Sequence, residues 1–338
     1  MGAGHVGGPT MAVIALKCKS IKINVVDIDP SKVNAWNSEN LDDLPVFEPD
    51  LKNIISQVRN RNLFFSENID SAIREADMIF ISVNTPIKTK GEGAGFASDL
   101  KWVESSARKI GIEAKGHTIV VEKSTLPVRT AKTIKTILDN SVKESKINNI
   151  TKSFSVLSNP EFLSEGNAIN DLLNPDRVLI GGDNDMAINC LEQIYLEWVS
   201  KNKIIKTNLW SSELSKLSAN ALLAQRVSSI NSISEICEAT GADIKEVSLA
   251  IGSDKRIGHK FLNAGPGFGG SCFKKDILNL VYLCRYYGMD SVANYWEQVI
   301  KMNEWQQKRI LKIILDKLFG TVAGKNIAIL GFAFKANT

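Results

Sequence analysis

Gly2-Ala3-Gly4-His5-Val6-Gly7 opens the chain, and Asp27 closes the apolar run Ile23–Asp27 (INVVD) 20 residues after Gly7. Glycines in a GxGxxG pattern allow a tight turn and let backbone approach a pyrophosphate seated on a helix N-terminus. A carboxylate at the end of the following strand takes the ribose hydroxyls, which favours NAD over NADP. Lys32 lies nearby, but no Arg directly follows Asp27. Working outward, Met78–Val83 (MIFISV), Thr118–Glu122 (TIVVE) and Phe154–Leu157 (FSVL) read as further buried strands, with helical patterns such as Asp50–Arg61 and Asp99–Glu113 between them. Strands alternating with helices predict an α/β fold with a Rossmann-type parallel sheet. From Asn208 the period changes: Leu209, Leu214, Leu217, Ala221, Val227, Ile230 and Ile233 recur at helical spacing, with no Pro or Gly before Gly241. That predicts one long connecting helix and an all-helical central domain. Asn326–Leu330 (NIAIL) reads as a strand beginning another α/β domain. The expected divisions are 1–207, a dinucleotide-binding domain; 208–320, a helical domain; and 321–338, the start of a third.

Composition narrows the function classes. The 338 residues are 44% hydrophobic and 23% charged, the proportions of a soluble globular protein. Lys and Arg outnumber Asp and Glu by only 41 to 37 and are spread along the chain, which argues against nucleic acid as a partner. No apolar run, Met78–Val83 included, approaches the roughly 18 residues of a membrane span. Met11–Leu16 has no basic segment before it and no cleavage site after it, and position 6 is Val6 where myristoylation requires Ser or Thr. Five irregularly spaced cysteines with no CxxC suit a reducing, cytoplasmic compartment.

Gly265-Pro266-Gly267-Phe268-Gly269-Gly270-Ser271-Cys272-Phe273 is the densest signal. Glycines crowding a cysteine suggest backbone curled around a ligand with a thiol at its edge. A helix starting near Lys274 would favour a thiolate, helped by Lys274 or Lys275, and Asp276 one turn on could orient a water or a lysine. The other reading of Cys272 is a small buried hydrophobe, which is how Cys18, Cys190, Cys237 and Cys284 are read. Lys216 and Asn220, spaced i,i+4, share one face of the long helix, as a site or as a polar stripe. Asn159-Pro160-Glu161-Phe162-Leu163-Ser164-Glu165-Gly166 follows a strand, and Glu161 is either a base or a helix-initiating acid. Val83-Asn84-Thr85-Pro86 and Glu122-Lys123-Ser124-Thr125 end two other strands at the same sheet edge. His5, His117 and His259 lack metal-ligand spacing, so no metal site is expected.

Taken together, these stretches resemble the UDP-glucose/GDP-mannose dehydrogenase family, and among its members the animal type of UDP-glucose 6-dehydrogenase. GAGHVGGPT, VVDID, FISVNTP, EKSTLPVRT, LSNPEFLSEG, NPDRVLIGG, ELSKLSANALLAQRVSSINS, SDKRIGHKFL, GPGFGGSCFKKD and NIAILGFAFK appear in the family's order from residue 2 to residue 335. The resemblance implies oxidation of the sugar C6 alcohol of UDP-glucose to a carboxylate with two NAD, giving UDP-glucuronate. It makes Cys272 the thiol that holds the aldehyde as a thiohemiacetal and then forms a thioester. It makes Glu161 the acid/base for hydrolysis, Lys216 and Asn220 the stabilisers of developing charge, and Asp276 with Thr125 the holders of the water. NAD would contact Gly2, Ala3, Gly4, His5, Val6, Gly7, Asp27, Lys32, Val83, Asn84, Thr85, Pro86, Ile87, Ser124, Thr125, Leu126 and Glu165. The sugar nucleotide would contact Glu161, Phe162, Leu163, Ser164, Glu165, Lys216, Asn220, Asn263, Ala264, Gly265, Pro266, Gly267, Phe268, Gly269, Phe334 and Lys335. Arg256 is similar to an arginine that reaches a neighbouring subunit's site, so a homo-oligomer, a hexamer in animals, is implied.

Position 5 departs from the family, with His5 where an aromatic residue is usual. The strand that should feed Gly2 is not in the sequence, and after Lys335 the family pattern ends, so the chain reads as truncated at both ends, with weak activity expected. Three other readings stand beside UDP-glucose oxidation: another nucleotide sugar such as UDP-N-acetylmannosamine or GDP-mannose, a two-electron hydroxyacid dehydrogenase, and a chain that only oligomerises. The hydroxyacid reading leaves GFGGSCF without a use.

Overall fold

The computed structural model describes residues 1–147, 151–270, 272–331 and 333. The glycine turn leads into α1 (Gly7–Lys17), whose Ala12, Val13, Ile14 and Ala15 are all buried. β1 (Ile23–Val26) follows, then α2 (Pro30–Asn37), started by Asp29 accepting the Ser31 N–H and by Pro30 in the first turn. In α3 (Leu51–Val58), Leu51, Ile54, Ile55 and Val58 fall on one face and bury it, as the pattern predicted. β2 (Leu63–Ser66), α4 (Ile69–Glu75) and β3 (Met78–Ile81) complete the first half. Next come α5 (Lys101–Glu113), β4 (Gly116–Glu122), α6 (Thr130–Ile147), β5 (Lys152–Ser158), α7 (Ala168–Leu173), β6 (Val178–Gly181), α8 (Asp185–Leu196) and β7 (Ile204–Thr207).

The strands form a two-stranded sheet, β1-β2, and a five-stranded sheet, β3-β4-β5-β6-β7. Met1 and Gly2 connect the two. The Met1 nitrogen donates to Phe80 O (2.7 Å), Ser82 N–H donates to Met1 O (2.8 Å), and Gly2 N–H donates to Val26 O (2.8 Å). Met1 therefore takes the place of a strand residue between β1 and β3. The pairing is parallel except between β5 and β6, which meet antiparallel at Ser158 and Gly181. The connection between them spends its helix elsewhere: α7 buries Ile169 and Leu172 in the cluster around α1. The chain then re-enters the sheet from the end at which β5 finished.

Contacts divide the described residues into two units, Met1–Pro86 with Ser98–Lys216, and Ile87–Ala97 with those that follow Lys216. The 32-residue α9 (Leu209–Thr240) starts in the first and continues in the second. The second unit adds α10 (Ile244–Gly252), α11 (Cys272–Tyr286) and α12 (Asp290–Lys317). Its core is built from Ala221, Ala224, Phe268, Ile277, Val281, Ala293 and Ile300. The strand expected over Asn326–Leu330 is not formed. No strand lies beside it among the described residues, and Ile329 and Leu330 are exposed (84% and 97%), so it has neither a ladder nor a core to join. No helix among the described residues is long and apolar enough to cross a membrane.

Candidate active site

The glycine turn lies at the C-terminal end of β1, where parallel strands of open α/β sheets present their ligands. A Cβ on Gly7 would sit 2.0 Å from Gly2 O, and one on Gly2 would sit 2.3 Å from Ser82 O, so both positions require glycine. A Cβ on Gly4 would meet nothing within 4 Å, which leaves that backbone open to a ligand. Asp27 Oδ2 accepts the Ala3 N–H (2.8 Å) and Oδ1 accepts the Asp29 N–H (3.0 Å), tying the turn to the end of β1. Lys32 stands 4.0 Å from both Asp27 and Asp29, so two carboxylates already neutralise it. Gly2, Gly4, Asp27, Ser82, Val83 and Asn84 line one cavity of about 550 Å³. Its open glycine backbone and its carboxylate at a strand end fit NAD. Ala3 is buried beneath the turn and His5 points to solvent. Ile87, expected beside Pro86, packs against the core of the second unit.

Deeper in the same unit, the loop after β5 brings Glu161 against the loop after β4 and the first turns of α9. Thr125 Oγ1 donates to Glu161 Oε1 (3.2 Å), and Lys216 Nζ reaches the same oxygen at 3.2 Å. Glu161 Oε2 accepts the Leu163 N–H (2.6 Å). Burial pushes the Glu161 carboxyl upward, yet the Lys216 ammonium, the Leu163 N–H and the Lys123 charge outweigh it, and its pKa is lowered from the ordinary 4.5. The result is a nearly buried carboxylate held ionised by a nearly buried ammonium, an arrangement suited to taking and returning a proton. The Phe162 ring lies under both Lys216 and Arg177, with centroid distances of 5.4 and 3.8 Å. The strand ends are also tied together: Ser124 Oγ donates to Val83 O (2.8 Å) and Thr85 Oγ1 to Thr125 O (3.1 Å). Leu126 is buried in the core below them.

The second unit carries the thiol. Cys272 is the first residue of α11 and is exposed, so the helix starts two residues earlier than expected. Lys274 pairs with Glu304 (2.8 Å), and Lys275 lies 4.0 Å from Asp276. Asp276 is 1% exposed and accepts from Asn220 Nδ2 (2.6 Å), which joins two residues that sequence placed 56 apart. The preceding glycine loop is held by amide side chains. Asn303 accepts the Phe268 N–H (2.7 Å) and donates to Phe268 O (3.0 Å), Asn231 accepts the Gly265 N–H (2.9 Å), and Gln306 donates to Gly265 O (2.8 Å).

Other expected residues are less engaged. Ser164 gives its N–H to Asp171 (2.8 Å), and Glu165 is half-buried in the following turn. Arg256 is exposed and pairs with Asp254 (2.6 Å). Asn263, Pro266 and Gly269 are exposed, while Ala264 is half-buried. Phe334 and Lys335 lie outside the described residues. Sequence reading missed the buried Lys123, whose ammonium donates to Asn159 Oδ1 (3.0 Å) and to Tyr195 Oη (3.2 Å). It also missed Glu48, which accepts the Gly166 and Ala168 N–H groups and so fixes the far side of the Glu161 loop.

Comparison with known proteins matches both parts of the chain to one family. The family profile described as the NAD binding domain of the UDP-glucose/GDP-mannose dehydrogenases matches residues 1–199, and the profile of their central domain matches residues 210–305. UDP-glucose 6-dehydrogenase of Gallus gallus is 58% identical over all of this chain, which spans 67% of that protein's length. UDP-glucose 6-dehydrogenase 5 of Oryza sativa subsp. japonica is 56% identical, again over the whole chain and over 69% of its own length. Among solved structures, a UDP-glucose dehydrogenase from Pyrobaculum islandicum superposes with a TM-score of 0.82 at 29% identity, covering 94% of this chain and 70% of its own. GDP-mannose dehydrogenase from Pseudomonas aeruginosa superposes at 0.66 with 27% identity, covering 93% and 70%. The chain belongs to the UDP-glucose/GDP-mannose dehydrogenase family, with NAD as its cofactor.

Proposed function

We propose that this chain oxidises the C6 alcohol of UDP-glucose to the carboxylate of UDP-glucuronate. The observation that carries this reading is the 58% identity to a UDP-glucose 6-dehydrogenase over the whole chain, against 27% to a GDP-mannose dehydrogenase. NAD held at the Gly2–Gly7 turn would accept the hydride in each of two oxidations. Cys272 supplies what the second oxidation needs. Its thiolate adds to the C6 aldehyde to form a thiohemiacetal, loss of the second hydride leaves a thioester, and water then releases the acid and restores the thiol. Glu161 takes the proton from that water. Lys216 and Asn220 stabilise the negative charge that develops on the C6 oxygen, and Thr125 and Asp276 orient the water. Glu165, Ser164 and the glycine loop Gly265–Gly269 serve to hold the sugar.

We further infer a cytoplasmic homo-oligomer. Five irregularly spaced cysteines fit a reducing compartment, and Leu222, Ile236, Leu249 and Leu311 of the second unit are exposed apolar residues suited to a subunit contact. Light scattering on the purified chain tests the assembly, which a monomer at micromolar concentration refutes. The substrate is tested by following NADH with UDP-glucose, GDP-mannose and UDP-N-acetylmannosamine in parallel. NADH formed from UDP-glucose alone is the expected result, and a preference for either competitor overturns the reading.

A further inference from the structure

Two buried carboxyl groups beside the Glu161 cluster take no part in the chemistry above. Glu122 ends β4 and Glu213 lies near the start of α9, and each is 2% exposed. Glu213 accepts the Arg129 N–H at Oε2 (2.6 Å) and the Ala131 N–H at Oε1 (2.7 Å), and so holds the first turn of α6. Arg129 sits there at φ 80°, a left-handed conformation that a non-glycine residue keeps only under restraint. Glu122 Oε2 is buried and meets no ordinary donor, yet the Glu122 and Glu213 carboxyls lie within hydrogen-bonding range of each other. Two such oxygens attract only if a proton lies between them; otherwise they repel.

We propose that Glu122 and Glu213 share one proton and act together as positioning residues, bracing Thr125 and Lys216 on either side of Glu161. The chain connects each member of the pair to one of those side chains. Glu122 begins the Glu122-Lys123-Ser124-Thr125 turn, and Glu213 precedes Lys216 by one turn of α9. Thr125 and Lys216 converge on one oxygen, Glu161 Oε1, each at 3.2 Å. A break between Glu122 and Glu213 would therefore shift both partners of the carboxylate. The proton belongs to Glu122, because Glu213 takes two N–H groups at a helix N-terminus, which favour an anion. Burial, then the charge of Glu213, raises the Glu122 pKa well above the ordinary 4.5. The cations around the pair are occupied elsewhere: Lys123 with Asn159 and Tyr195, Lys216 with Glu161, and Arg129 with its guanidinium over the Trp210 ring. The bracing role rests on the function proposed above, but the shared proton does not.

The test compares the unaltered chain with E122Q and E122A, using measurements that need no turnover. At neutral pH, infrared spectroscopy should show the carbonyl stretch of a protonated carboxyl in the unaltered chain and its loss in E122Q. A group whose folded pKa is raised stabilises fully at low pH and loses that contribution as pH rises through the raised value. The melting temperature of the unaltered chain should accordingly fall across that interval, while E122Q, whose amide still donates to Glu213, should remove this slope. Amide exchange over residues 124–131 should quicken at least tenfold in E122A and stay near the original rate in E122Q. A missing carboxyl band, or one that survives in E122Q, overturns the shared proton. An intact band with unchanged exchange in both variants overturns the bracing. A chain that shows the band and the exchange pattern but no NADH from UDP-glucose refutes the proposed function and leaves the pair standing.

Discussion

Lys216 stands 3.2 Å from Glu161 with its side chain 6% exposed, so neither group has water to fall back on. Removing the ammonium leaves burial as the dominant influence on Glu161. In Lys216→Met the Glu161 pKa should therefore rise above 4.5 instead of lying below it. The acid limb of kcat/KM should move toward neutral pH by about one unit or more, and kcat should fall at least about a hundredfold, with a smaller change in KM. A pH–rate profile checks both, and an unmoved acid limb with a pure KM effect would make Lys216 a substrate anchor only. The stability sign runs the other way from that of Glu122: a lowered carboxyl pKa stabilises above the ordinary value and is lost as pH falls through the folded one. Glu161 and Lys216 were legible as candidates because each sits in a motif with its own spacing. Lys123, Asn159, Tyr195 and Glu213 were not, since the contacts that give them meaning join residues 36 to 84 positions apart.

The loop Gly265–Gly270 shows how an element can be recognised without the means that shape it. Its glycines were visible in the sequence, whereas the amides that hold it come from α9 and α12 and carry no local signature. Gly267 has φ 107°, and a Cβ there would lie 2.5 Å from Asn303 Oδ1, the acceptor of the Phe268 N–H. A Cβ at Gly265 would meet nothing within 4 Å. Gly267→Ala should therefore cost about 1–3 kcal/mol through strain and a displaced acceptor, and Gly265→Ala much less. Urea unfolding of the two variants side by side decides it, and equal losses would show that the Asn303 contact does not shape the loop. The same contrast between local pattern and distant partner separates α9 from the 326–330 segment. The apolar period of α9 runs over enough turns to be read without a neighbour. A strand of five residues exists only if another strand pairs with it.

At the scale of the whole molecule, the proposed chemistry draws on both units: the dinucleotide turn belongs to the first and the thiol to the second. An alcohol becomes a carboxylate only by losing four electrons, and one nicotinamide accepts two. A protein that can only transfer hydride would release an aldehyde after one NADH. Covalent capture on Cys272 prevents that, because the thiohemiacetal keeps the carbon bound and presents a second hydride for removal. The unaltered chain should therefore yield two NADH for each UDP-glucose consumed. Cys272→Ser should lower turnover by at least about a hundredfold and hold any residual reaction at or below one NADH per sugar, since an ester to serine forms and hydrolyses less readily than a thioester. Spectrophotometric NADH set against chromatographic loss of UDP-glucose gives the ratio directly. Intact-mass measurement on Glu161→Gln, in which hydrolysis becomes limiting, should then reveal the acyl group on Cys272. A ratio of one in the unaltered chain, or full turnover in Cys272→Ser, would return Cys272 to a packing role and leave a two-electron dehydrogenase.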